Sequence, residues 1–161
     1  MLLEQQRQQL LDFVTSIPLD DLYKKPTDDA WDILQILAHL ALFEKSAVKD
    51  VNEALVEKNY VGEVEQKPVH LAADRTNKVK TKSIWEPEKE HYTLEEVTAD
   101  LEHTRKALQA ALSHATEEDL THVVIDTDAF GKLSLAQYID FLNYHEARHF
   151  EQIKANANLD V

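Results

Sequence analysis

The sequence contains no cysteine. That excludes a disulfide framework, a thiolate nucleophile supplied by the chain, and any zinc site built on cysteine. It also favours a cytoplasmic setting. Glycine occurs twice and proline four times in 161 residues. With so few breakers, and with Leu, Ala, Glu, Gln and Lys abundant, the composition favours helices. Basic charge is short as well: 17 Lys and Arg stand against 30 Asp and Glu, a net charge of −13. Such a chain repels a phosphate backbone, and no basic stripe with interleaved aromatics offsets this, so nucleic acid is excluded as a partner class. No apolar run reaches the length of a membrane span; the longest, ILQILAHLALF, is short and carries a histidine and a glutamine. The opening MLLEQQRQQL lacks a basic start followed by an apolar run and does not read as a signal peptide. The length suits one domain over residues 1–161, enough to bury a core without staples.

Four segments carry helical periodicity. Leu3, Leu10, Val14 and Ile17 share a face, and Pro18 ends that segment. Ile33, Ile36, Leu40, Phe43 and Ala47 form a second stripe, from about Trp31 to about Glu57, with Asp28 and Asp29 placed to suit its N-terminus. The third opens on Thr93-Leu-Glu-Glu96, a capping-box pattern, and continues through Leu94, Val97, Leu101, Leu108 and Leu112. The fourth follows Gly131 with a second capping box, Ser134 to Gln137, then Leu135, Ile139 and Leu142. Residues 59–92 are polar, hold Pro68 and Pro87, and show no clean period. They read as a long crossover with a turn or two of helix, anchored on the bundle by Trp85. In the shorter connection, residues 113–133, the run Val123-Val124-Ile125 reads as a short extended piece, too little for a real sheet. The expected fold is all-α, a four-helix bundle with one long crossover loop.

In helix four the apolar positions advance by four and three, from Leu135 to Ile139 to Leu142. The same steps lead to His145, His149 and then Gln152 and Ile153. Two imidazoles one turn apart thus stand where the pattern asks for apolar groups. Buried imidazoles need partners, and one divalent cation satisfies both through neutral nitrogens, as do hydrogen bonds to carbonyls or carboxylates. His39 borders the apolar stripe of helix two, three after Ile36 and four before Phe43. Together the three would make a site with three protein ligands and an open position, of the kind bundle cores build from facing helices. His70, His91, His103, His114 and His122 read as surface residues.

The stretch His145-Glu-Ala-Arg-His149 also matches H-E-x-x-H, the signature of zinc proteases. Those enzymes take a third ligand from further downstream. Only a dozen residues follow His149, none of them histidine, and Glu151 is too near. The protease reading therefore fails. Glu146 then reads as a charged residue on the solvent flank of helix four, paired with Arg148 or with a neighbouring helix, and no acid or base is assigned.

The segments AWDILQILAHLALFEK and AFGKLSLAQYIDFLNYHEARHFEQI, taken together, resemble the DinB-like superfamily, the DinB/YfiT-like metalloenzymes. The resemblance covers essentially the whole chain. It implies a four-helix bundle in up-down-down-up order, with one divalent metal on His39, His145 and His149 and Gln152 as the trailing glutamine that orients a ligand. Zinc or nickel is implied first, with manganese, iron or cobalt also accommodated by three imidazoles. It further implies a homodimer acting on a small molecule. Some members resemble transferases that use a low-molecular-weight thiol and others metal-dependent hydrolases, while a non-catalytic ligand-binding bundle is the third reading. With no cysteine in the chain, a thiol would have to arrive as cosubstrate.

Overall fold

The computed structural model describes residues 2–76 and 81–159. Four long helices dominate it: α1 (Leu2–Thr15), α2 (Ile33–Glu57), α3 (Leu94–Leu112) and α5 (Leu135–Ala157), with a short α4 (Glu117–His122) between the last two. Two strands, β1 (Val124–Thr127) and β2 (Gly131–Ser134), form an antiparallel hairpin just before α5. The hairpin is the departure from an all-helical expectation, and α4 is a helix beyond the four expected; α4 and β1 lie in the 113–133 connection, and β2 closes it. Ile125 and Leu133 pair across the ladder and point into the core, which is why so short a hairpin persists. Its turn needs Gly131, whose φ of 69° is left-handed.

The helix starts are set by side chains. Thr93 with Glu96 and Ser134 with Gln137 form the capping boxes their sequences suggest. Two further boxes were not anticipated: Thr116 with Asp119 opens α4, and Asp32 with Gln35 opens α2. Asp28 and Asp29 instead lie in the turn before Asp32, which is itself the cap. Because β2 ends at the residue that caps α5, the hairpin delivers α5 at a fixed height and angle.

The crossover carries short 3-10 turns at Val69–Ala73 and Ser83–Trp85. The second lies on α2: Trp85 donates its indole N–H to Ser46 Oγ (3.0 Å) and meets the Phe43 ring edge-on at 4.8 Å. The first packs along α5.

The core has two apolar clusters. One holds Leu10, Val14, Leu37, Ala41, Leu101 and Ile153; the other holds Leu3, Ala47, Leu108, Leu135, Phe141 and Leu142. Between them lies a layer of charge, one residue from each long helix: Arg7, Glu44, Arg105 and Glu146, all at least nine-tenths buried. Arg7 Nε donates to Glu146 Oε1 (2.9 Å) and its Nη2 to Glu44 Oε2 (3.1 Å). Arg105 Nη2 donates to Glu44 Oε2 (2.8 Å) and reaches Glu146 Oε1 at 3.4 Å. Thr104 Oγ1 donates to Glu44 Oε1 at 2.7 Å. Two guanidiniums and two carboxylates cancel, the condition under which burying four charges is tolerable. Glu146 is therefore not on the solvent flank: it is 4% exposed and bound to α1 and α3.

Candidate metal centre

α2 and α5 bring His39, His145 and His149 together. One ring nitrogen from each lies within 4.8 Å of the other two, the only such group among the described residues. His39 and His149 are buried, and His145 keeps part of its surface open. The ring centroids are 4.6 Å apart for His39 and His149, 4.7 Å for His145 and His149, and 5.4 Å for His39 and His145. Phe43 stacks on His145 at 3.9 Å, and Trp31 lies 5.1 Å from His39. The aromatic walls thus hold the rings and limit water on their flanks.

Hydrogen bonds set the tautomers. The Nδ1 of His39 is 2.8 Å from the Trp85 carbonyl, which only accepts, so Nδ1 carries the proton and Nε2 keeps its lone pair. The Nδ1 of His149 is 2.8 Å from Gln152 Oε1, which fixes that ring the same way. The two Nε2 atoms then face each other at 3.1 Å. Burial lowers the pKa of all three rings. It is opposed at His39 by the Trp85 carbonyl, takes His149 down to about 3, and takes His145 well below its ordinary value with help from His149 and His39. Two neutral rings with lone pairs aimed at one another are compatible with a cation held between them. On a tetrahedral zinc with Zn–N of about 2.05 Å, two nitrogen ligands are separated by about 3.3 Å. The donor set and spacing fit a divalent metal.

The other histidines stand apart. His70, His91, His103 and His114 are exposed, with His91 stacked on Tyr23 at 4.5 Å. His122 is half-buried, its Nδ1 donating to the Val61 carbonyl at 2.9 Å. The charged layer was missed in the sequence, although a signal exists. The steps Leu3–Arg7–Leu10, Ala41–Glu44–Ala47, Leu101–Arg105–Leu108 and Leu142–Glu146–His149 each place a charge on the apolar stripe. Two of these charges are positive and two negative.

Fold and site define a mostly helical bundle protein with a three-histidine cluster suited to metal binding. The chain belongs to the DinB superfamily, whose family model matches residues 2–153. It is 34% identical over 135 residues to the uncharacterized protein YuaE of Bacillus subtilis (strain 168), covering 84% of this chain and 82% of that one. Its fold is similar to that of TT2238, a four-helix bundle protein of known crystal structure, with a TM-score of 0.64 and 21% identity over 96% of this chain and 94% of that one.

Proposed function

We propose that the protein is a metal-dependent transferase using a low-molecular-weight thiol, with His39, His145 and His149 as ligands of zinc or nickel. The observation that supports this most is the pair of facing Nε2 lone pairs, 3.1 Å apart, on rings whose other nitrogens are occupied. A bound divalent cation with an open position would lower the pKa of a thiol placed there. The chain's own part is to orient the rings through the Trp85 carbonyl and Gln152, and to keep them neutral by burial. The thiol proton leaves to solvent. The sulfur forms a bond to the electrophilic carbon as the leaving group departs with its electron pair.

Glu146 favours this over hydrolysis. It is the group that would act as general base in an H-E-x-x-H enzyme, but here its Oε1 is bound to Arg7 and Arg105 and its Oε2 is buried. A thiol, with an ordinary pKa of about 8.5, needs less help to ionise than water, at about 15.7. The up-down-down-up order forms part of the same reading. It is supported by the sequence in which helices pass the two apolar clusters: α1 and α5 run from the Leu3 cluster to the Leu10 cluster, α2 and α3 the other way. A single domain over residues 1–161 working as a cytoplasmic homodimer completes the proposal.

The test is to incubate zinc- or nickel-loaded protein with a panel of thiols and an alkyl halide, and to follow the thioether by mass spectrometry. Thioether formation above the uncatalysed rate, lost in His149→Ala, supports the reading. Uncatalysed rates with every thiol overturn it.

A further inference from the structure

The crossover meets α2 along one line. Gln35, His39, Phe43 and Ser46 advance by four, four and three, so they share a face of that helix. Each of them touches the segment 85–89. Gln35 Nε2 donates to the Lys89 carbonyl at 3.3 Å, and His39 Nδ1 donates to the Trp85 carbonyl at 2.8 Å. The Phe43 and Trp85 rings meet at 4.8 Å, and Ser46 Oγ accepts from the Trp85 indole at 3.0 Å. Trp85 makes three of these four contacts. Its side chain thus fixes the position of its own carbonyl over α2, and that carbonyl holds the His39 ring. The same side chain backs Phe43, whose ring stacks on His145 at 3.9 Å. Two of the three candidate ligands are therefore held through one crossover residue. The third is not: Gln152, on the same helix as His149, holds that ring at 2.8 Å. The ion pair of Lys82 with Asp128 at the edge of the segment is exposed on both sides and adds little.

We propose that Trp85 is a positioning residue for the metal centre, docked by Ser46 and Phe43, and that docking of its segment on α2 is linked to metal binding at the histidines. The inference rests on the metal reading of the cluster and not on thiol transfer. Docking sets the rotation of His39 and backs the flank of His145 in advance, so less ordering is left for ligation to impose. Ligation at His39 Nε2 would draw electron density from the ring and make its Nδ1–H a stronger donor, and the acceptor of that proton is the Trp85 carbonyl. The coupling is therefore reciprocal: what helps the metal bind also strengthens the docking.

The experiment is competition titration of the metal-free full chain with zinc, in the parent, Ser46→Ala, Ser46→Thr and Trp85→Ala. Alongside it, solvent exchange of the Trp85 indole N–H is followed by NMR in the parent before and after zinc. Alanine is a better helix former than serine, so Ser46→Ala removes the indole's acceptor without weakening α2. Zinc affinity is expected to fall about fivefold in Ser46→Ala, to return in Ser46→Thr, and to fall about 10–100-fold in Trp85→Ala with the helical circular dichroism unchanged. In the parent, zinc should slow indole exchange several-fold. A parent that binds zinc, with Ser46→Ala and Trp85→Ala both within about twofold of it, overturns the linkage and leaves the metal reading standing. Weaker binding in the variants, with indole exchange in the parent indifferent to zinc, also overturns it, since a general loosening would then account for the loss. A parent that takes up no zinc removes the metal reading and the linkage with it.

Discussion

Replacing Glu146 by glutamine separates a structural from a catalytic role for the acid inside H-E-x-x-H. The substitution keeps the shape of the side chain and removes its charge. Glu146 Oε1 accepts from Arg7 Nε at 2.9 Å and lies 3.4 Å from Arg105 Nη2, and the side chain is only 5% exposed. With the charge gone, two buried guanidiniums are left facing Glu44 alone, and the layer moves from neutral to a net positive charge. Removing one partner of a buried ion pair costs about 3–5 kcal/mol. For a chain of this length that corresponds to roughly 6–20 °C in Tm. The assay is urea denaturation followed by circular dichroism, with metal content measured on the same samples. The expected result is a large loss of stability with the metal retained. The double variant Arg7→Met with Glu146→Leu, which leaves Arg105 and Glu44 as a balanced pair, should recover most of the loss. A Glu146→Gln protein within about 1 kcal/mol of the parent that nevertheless loses all turnover would refute the structural assignment and restore the general-base reading.

Three further outcomes follow from the geometry. Gln152→Leu removes the group that holds His149 Nδ1 and should weaken metal affinity about 10–100-fold by competition titration, with the helix content unchanged. In metal-free protein, His149 titrates near 3 when folded and near 6.5 when unfolded. Between these values the unfolded chain binds a proton that the folded one does not. Stability should therefore fall with decreasing pH below 6.5, by about 1.4 kcal/mol per unit from this residue, and denaturation midpoints should show a shallower slope in His149→Gln. Ser134→Ala removes the cap that starts α5 and should cost about 1 kcal/mol by thermal unfolding.

The bundle was legible because its signals are local and periodic: Leu3, Leu10 and Val14 on α1, or Thr93 and Glu96 at the start of α3, report their own turn of helix. His39 and the pair His145 and His149 were legible for a related reason, since imidazoles on an apolar stripe break the pattern where it should hold. Glu146 was not. The step from Leu142 leads equally to residue 145 by three or 146 by four, and a charge at the second position looks like a solvated flank until Arg7 and Arg105 are known to face it. Those contacts span more than 40 residues of sequence, so no local pattern carries them. The extended run Val123-Val124-Ile125 was legible and overlaps β1, but its partner β2 and the α4 helix escaped because a four-residue strand and a six-residue helix are too short for a period. The tautomer of His39 depends on the carbonyl of Trp85, 46 residues away, and the sequence offers only the tryptophan as an anchor for that loop.

The most direct test of the metal centre is elemental analysis by mass spectrometry of untagged protein purified without chelators or a metal column. The account predicts about one divalent metal ion per chain, absent from His149→Ala protein that retains its helical circular dichroism. Protein that carries no metal, and takes up none when offered zinc, nickel or manganese, would contradict it.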